Sequence, residues 1–282
     1  MKYAILVPLL TTLLLLGMST AAYAQVDRLF VVDGVSSRIY ELDPTTGAAI
    51  NSFAAPEPAS GGPDGLGFGA GRMFYVNGYG TNTIYELNPN TGAVGNSFAA
   101  PAGPIDALAF SGTELFALEF DIGKIWVLDP NNGAVKRSLV PGVDLVGGGC
   151  YALPRGSIFF TVEFTEVAEL DPTTGAIRNS FAAPTGLYGL GYSNSRNILY
   201  AGEGGGNTIY LLSPDNGAVL GTLIAPVGVM ISALAGNEGT YAPVAGVLVP
   251  VNKPAILAPY LVMVGLTGAL AAIIAFKKKH KD

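Results

Sequence analysis

The chain has 282 residues, a formal net charge of −6, and one cysteine and one histidine. A single cysteine excludes an intrachain disulfide, and because the histidine is His280, near the end, the rest of the chain cannot hold a His-based zinc site, a Ser-His-Asp triad or a His general base. Between residues 25 and 254 there are 20 acidic and 10 basic residues, a net of −10, a balance that repels nucleic acid and anionic lipid.

Met1 to Ala24 carries one lysine, Lys2, then an apolar run from Ala4 to Met18, then Ala22-Tyr23-Ala24. The run is shorter than the ~18 residues of a membrane span and a small-residue cleavage pattern follows it, so 1–24 reads as a secretory signal peptide.

From Tyr40 to Pro56 the sequence reads Y-E-L-D-P-T-T-G-A-A-I-N-S-F-A-A-P, and four further copies follow, with turn glycines at Gly47, Gly92, Gly133, Gly175 and Gly217, spaced 45, 41, 42 and 42 residues apart. A period of roughly 40 to 45 residues is that of one four-stranded propeller blade. In the third unit the four strands, from the axis outward, are Ile105 to Phe110, Glu114 to Glu119, Lys124 to Leu128 and Ala134 to Leu139. The second strands are nearly continuous apolar runs, as strands buried on both faces are. The outer strands are more polar (Asn51-Ser52, Asn96-Ser97, Lys136-Arg137-Ser138), which blunts an exposed edge.

The D-P-x-T-G phrase is read as the tight connection between third and outer strands. Asp43, Asn88, Asp129, Asp171 and Ser213 bond forward to backbone N–H groups, proline presets φ, and glycine takes φ > 0. Turn chemistry accounts for every residue of the phrase, so calcium binding by these aspartates is set aside.

The chain enters at a second strand, Leu29 to Asp33, with no room for an inner strand before it. After the last repeat, I-S-A-L-A (Ile231 to Ala235) matches I-D-A-L-A (Ile105 to Ala109). The C-terminal segment is therefore expected to supply the missing inner strand of the first blade, which closes the ring and removes open edges. Residues 25–237 form an all-β, five-bladed β-propeller on this reading, and 238–254 a Pro/Gly/Val-rich stalk. Ala255 to Phe276 is an uncharged run of 22 residues, long enough as a helix for the ~30 Å hydrocarbon core. The basic tail at 277–282 orients it with 25–254 outside.

One further column emerges when the units are aligned. The last residue of each second strand is Asp33, Asn77, Glu119, Glu163 or Glu203, so every blade places a carboxylate or amide at one end of the ring. Asp64, Asp106 and Asp144 lie in or near the longer connections at that end, and Tyr79, Phe120 and Phe164, with Tyr188 and Tyr192, are expected to line the same mouth. Two roles compete for the column: strand termination by bonding into its own turns, and a shallow site in which carboxylates bind Ca2+ or aromatics stack on carbohydrate. Glu119, Glu163 and Glu203 are the candidate metal ligands, since Glu is a poorer turn former than Asp or Asn.

The stretch from Gly62 to Gly92, G-P-D-G-L-G-F-G-A-G-R-M-F-Y-V-N-G-Y-G-T-N-T-I-Y-E-L-N-P-N-T-G, resembles the blades of NHL, YVTN and gluconolactonase-like propellers. The resemblance implies the fold over about 210 residues. Enzymes of that group use calcium held by carboxylates and amides, for which Asn77, Glu119, Glu163 and Glu203 are the available stand-ins; the lyase branch uses a histidine that is missing here. The repeat phrase also looks like that of quinone-cofactor dehydrogenase propellers. There a tryptophan follows the glycine, whereas Phe53, Phe98, Leu139, Phe181 and Leu223 stand near that place here, and five units replace eight, which argues against that cofactor. Val249 to Pro254, the apolar span and the basic tail together resemble the three-part sorting signals of prokaryotic surface proteins, which a membrane peptidase processes.

The sequence thus leads to a cell-surface, single-pass anchored propeller that acts as a binding or adhesion module for a protein or carbohydrate, or forms part of an envelope layer, without catalysis or organic cofactor. The alternative is a calcium-dependent lactonase or sugar hydrolase.

Overall fold

The computed structural model describes residues 26–59, 62–226 and 228–239, all within the first of the two compact units into which the chain divides, residues 1–241. It holds five antiparallel four-stranded sheets. From the axis outward, blade 2 runs Asp64–Gly69, Arg72–Asn77, Thr83–Leu87 and Val94–Ala99; blade 3 runs Ile105–Phe110, Leu115–Glu119, Lys124–Leu128 and Val135–Leu139. Blade 4 runs Leu145–Ala152, Ser157–Val162, Glu166–Leu170 and Ile177–Ala182, and blade 5 Leu187–Ser193, Ile198–Glu203, Thr208–Leu212 and Val219–Ile224. In blade 1 the chain supplies Val26–Asp33, Arg38–Leu42 and Ala49–Ala54, and Ile231–Gly239 pairs antiparallel with Val26–Asp33 as its inner strand. The expected closure is therefore present, and the closing strand runs two residues past 237.

The apolar second strands are explained by the two neighbours each must satisfy. Side chains alternate across a strand, so Phe30 and Val32 pack toward blade 2 while Leu29 and Val31 pack toward blade 5. Phe74 and Val76 face blade 3, and Met73 and Tyr75 face blade 1. The result is five separate cores, one at each junction between blades. Each buried Phe or Leu side chain contributes about 1.5–3 kcal/mol, so the junctions, not the outer strands, hold the ring. Cys150 is one such buried apolar group, between blades 4 and 5 beside Phe159 and Leu190. Burial pushes its thiol pKa up, which keeps it unreactive.

Five inner strands must converge on one axis, and glycine makes this possible. A Cβ on Gly148 would overlap the Gly189–Leu190 backbone, and one on Gly189 would overlap the backbone at Leu234.

The repeated phrase occupies the connection between third and outer strands, as its chemistry requires. The Asp43 carboxylate accepts from the N–H groups of Thr45 and Thr46 at 2.8 and 2.9 Å, and the same forward bond recurs from Asn88, Asp129, Asp171 and Ser213. The hydroxyl of Thr45, with these N–H groups, lowers the Asp43 pKa to about 2. The five turn glycines lie at φ between 72° and 77°.

These turns also join neighbouring blades. An arginine of each blade reaches the turn of the next: Arg28 donates to the Pro89 carbonyl, Arg72 to Pro130, Arg137 to Pro172, Arg155 to the Asp215 carboxylate, and Arg196 to Pro44. The amides of Asn51, Asn96 and Asn179 cap the turns of the following blades in the same way. Phe53, Phe98, Leu139 and Phe181 then lie against Gly92, Gly133, Gly175 and Gly217. The N-S-F part of the phrase thus interacts with the next blade's turn.

Among the described residues no helix is long and apolar enough to cross a membrane. The span expected at 255–276, the signal at 1–24, the stalk beyond 239 and the basic tail lie outside the described residues.

Candidate functional site at the mouth of the ring

Second strands end, and third strands begin, at the end of the ring opposite the turns. Four of the five column residues end their strands as expected: Asp33, Asn77, Glu119 and Glu203. Glu163 does not. Its strand stops at Val162, the turn to the third strand is shorter in blade 4, and Glu163 and Phe164 occupy its two central positions at φ 46° and 59°. The Thr165 N–H donates to the Val162 carbonyl, giving the type I′ geometry that matches strand twist but normally calls for Asn-Gly. This turn leaves Glu163 exposed and sends Phe164 toward blade 5.

The column does not converge on one point. Asp33 is buried and accepts from the backbone of Val35 and Ser36 and the hydroxyl of Ser36, all in its own turn, and from the Met230 N–H of the closing segment. Asn77 is also buried; it accepts from the Tyr79 N–H and donates to the Pro58 carbonyl. Glu119 accepts from the Trp126 indole at 2.9 Å. Among the described residues no group of three His, Cys, Asp or Glu side chains is placed to hold a metal ion.

The aromatic residues do come together, in two pairs. Tyr79 of blade 2 and Phe120 of blade 3 lie 6.5 Å apart, edge to face, and Phe164 of blade 4 and Tyr188 of blade 5 lie 5.1 Å apart. Tyr79 rests on Gly62 and Tyr188 on Gly204, positions where a Cβ would strike the ring. A shallow cleft of about 460 Å³ opens beside the first pair, lined by Tyr79, Phe120, Asn82, Pro104 and the backbone of Gly78, Gly80 and Gly103. Tyr79 remains 53% exposed. Asn82 donates to the Ala102 carbonyl, while its Oδ1 accepts no hydrogen bond among the described residues. Tyr192 is not at the mouth: it lies four residues further along the inner strand, fully buried, stacked on Phe159 and bonded to Asn197.

Asp64 and Asp106 are buried at the mouth ends of inner strands, next to the connections, where they bridge blades. Asp64 accepts from the Ser232 hydroxyl of the closing strand at 2.6 Å and from the Tyr75 hydroxyl at 3.4 Å. Burial, partly offset by these bonds, raises its pKa to about 6. Asp106 accepts from the Gly147 N–H of blade 4 at 2.9 Å. Asp144 stays exposed just before its inner strand. The alternation of I-D-A-L-A and I-S-A-L-A marked these inner-strand positions, but only the closed ring reveals their partners.

The electrostatics of the two ends differ. All eight ion pairs among the described residues lie at the turn end or on the strand ends facing it, from Arg28–Glu41 around to Arg196–Asp27. At the mouth, Glu119, Asp144, Glu163, Glu166 and Glu203 are exposed or half-buried, and among the described residues none is in an ion pair. The basic residues there, Arg38 and Lys124, are engaged with the Ser52 hydroxyl and the Trp126 ring.

Fold and mouth define a five-bladed β-propeller with a wholly noncovalent closure. No protein-family model matches the chain, and no curated protein does. Among solved structures it is similar to a glutaminyl cyclase of Myxococcus xanthus, at 19% identity and a TM-score of 0.50 over 58% of this chain and 70% of that one. It is also similar to a chain of a nidogen/laminin complex, at 13% identity and a TM-score of 0.51 over 75% of this chain and 98% of that one. At such identities the likeness shows the propeller fold, not membership of the NHL, YVTN or gluconolactonase-like group.

Proposed function

We propose that this protein is a noncatalytic binding module, displayed at the cell surface by the apolar span at 255–276, whose binding face is the mouth of the propeller. The observation that carries the reading is the division of labour between the two ends. At the turn end five arginines are used in joining blades and the turn aspartates in holding their own turns, whereas the mouth presents two aromatic pairs, a cleft and carboxylates that are in no ion pair among the described residues. Aromatics on a rigid rim, Tyr79 exposed and Phe120, Phe164 and Tyr188 half-buried, supply contact area at low conformational cost, as binding surfaces do. The rim is rigid because backbone bonds lace its loops together: Phe120 to Pro104, Glu163 to Asp144, Leu187 to Phe164 and Gly34 to Met230.

A hydrolase of the gluconolactonase-like type needs carboxylates and amides converging on one calcium ion. The geometry at the mouth favours binding over that chemistry, because Asp33 and Asn77 turn into their own loops and Glu119 is held by Trp126. Surface display rests on the sequence of the two ends, and the sorting-type C-terminus makes a membrane peptidase a further partner.

The test is to probe glycan and peptide arrays with the full-length chain and with Tyr79→Ala/Tyr188→Ala. Array signals lost in the double variant, with its melting temperature within a few degrees of the parent, support the mouth as the binding face. Signals that survive the double variant contradict it.

A further inference from the structure

Building on that reading, we infer that the mouth takes a cationic segment of a partner protein, a stretch rich in Lys and Arg, with the cleft between blades 2 and 3 as its apolar seat. Failure of this inference and failure of the binding face itself are separable, as the experiment below shows.

Charge complementarity selects the occupant. The protein's basic residues are concentrated at the turn end, where Arg28, Arg72, Arg137, Arg155, Arg178 and Arg196 are each within an ion pair. The mouth keeps the opposite remainder: five carboxylates without an ion-pair partner among the described residues, above a layer of buried carboxylates at Asp33, Glu57, Asp64 and Asp106. Each of those four accepts at least one hydrogen bond, with Glu57 accepting from Thr81. They still contribute negative potential where ionised, and a concave, low-dielectric surface focuses that field. An anionic or phosphorylated ligand would meet repulsion from every blade.

The aromatics point the same way. The negative face of an aromatic ring attracts ammonium and guanidinium groups, and this protein already uses that contact internally: Lys124 Nζ lies 3.6 Å from the Trp126 ring centroid, and Arg28 and Arg72 stack on Phe30 and Phe74 at 4.8 and 5.0 Å. Tyr79 and Phe120 present comparable rings to solvent with Glu119 next to Phe120 in the chain, and Phe164 and Tyr188 do so beside Glu163. A Lys or Arg side chain matches such a site in both parts. Its aliphatic stem lies on the ring and its charge meets the carboxylate. Neutral sugars would use the rings but leave the carboxylates without a counter-charge.

The experiment uses the full-length chain and three fluorescent decapeptides, one of alternating Lys/Arg and Gly/Ser, one with Glu in the basic places, and one with Thr there, plus a neutral oligosaccharide. The basic peptide is expected to bind, at least tenfold more weakly when salt is raised from 50 to 300 mM, and the other probes not to bind. Two charge-matched pairs of variants separate the mouth from the protein's general acidity. Glu163→Gln/Glu203→Gln removes two charges at the mouth, and Asp43→Asn/Asp129→Asn removes two at the turn end, where Asn88 shows that asparagine serves equally well. The mouth pair, and Tyr79→Ala/Phe120→Ala, should each weaken binding at least fivefold, with the turn pair within twofold of the parent. Equal weakening by both charge pairs would overturn the proposal by showing only nonspecific attraction. If the neutral peptide or the sugar binds, sensitive to Tyr79→Ala, and the basic peptide does not, the cationic occupant is wrong but the binding face stands. If nothing that binds responds to the mouth variants, both fail.

Discussion

Arg196 of the last blade donates from Nη2 to the carbonyl oxygen of Pro44 in the first at 3.0 Å, across 152 residues of chain. The same side chain approaches the buried Asp27 carboxylate at 3.2 Å. This arginine does at the seam of the ring what Arg28, Arg72 and Arg137 do between successive blades, so the ring is closed at the turn end by side chains as well as by the inner strand Ile231–Gly239.

The strongest single member of that set should be Arg28. Both it and Glu41 are about 6–7% exposed, and they meet through two bonds of 2.6 and 2.8 Å. Arg28→Met leaves a buried carboxylate alone and should cost about 3–5 kcal/mol, whereas Arg28→Met/Glu41→Leu should recover most of it or exceed the parent. Urea unfolding of the three proteins checks this; a double variant no better than the single would show that the arginine acts through Pro89 and Phe30 and not through the ion pair.

Gly133 combines φ 73° with a ring of Phe98 where its Cβ would fall. Gly133→Ala should therefore lower stability by about 1–3 kcal/mol without altering ligand binding. Adding Phe98→Ala should remove the steric part of the penalty but not the backbone part. An unchanged melting curve for Gly133→Ala would contradict the assigned turn.

Asp64 carries a pH dependence of definite sign. Its folded-state pKa is raised by burial from 3.8 to about 6, so the folded protein binds this proton more tightly than the unfolded chain does. The stabilisation it gives is complete below about pH 4 and is lost as pH rises to 6, a difference of about 3 kcal/mol. Asp64→Asn keeps an acceptor for Ser232 and should remove this slope, so the variant's advantage over the parent should grow from pH 4 to 6. Asp43 and Asp171, held near pKa 2, act in the opposite direction at lower pH in both proteins. A difference curve flat across pH 4–6 would refute the assignment.

Calcium gives a sharp negative expectation. With no three carboxylates grouped among the described residues, added Ca2+ should leave the melting temperature unchanged, and Glu119→Gln/Glu163→Gln should change nothing in that titration. A saturable stabilisation by Ca2+ that the double variant loses would restore the hydrolase reading.

What was legible in the sequence was whatever repeats locally. The 41–45-residue period gave the blades, the Asp43 and Gly47 chemistry gave the turn, and the match of Ile231–Ala235 to Ile105–Ala109 gave the closure. Contacts between blades were not legible, because they depend on a cyclic arrangement no local pattern encodes: Arg196 with Pro44, Ser232 with Asp64, Phe98 with Gly133. The likeness of V-E-F to L-E-F points to Glu163 as a strand end. The interval from Glu163 to Glu166 is, however, two residues shorter than that from Glu119 to Lys124, and this shift puts the turn at Glu163-Phe164. Tyr188 and Tyr192 both fall in the fifth unit, yet four residues along an inner strand, about 13 Å, separate its mouth end from the buried opposite end.

The central claim is that one end of the ring binds and the other holds the blades together. It is tested by measuring basic-peptide affinity and melting temperature side by side for Tyr79→Ala/Phe120→Ala at the mouth and Gly133→Ala at the turn. The account predicts a crossed result, in which the mouth variant loses binding at least fivefold with its melting temperature nearly unchanged and the turn variant loses several degrees with its affinity unchanged. A turn variant that loses affinity while the mouth variant keeps it would contradict the account.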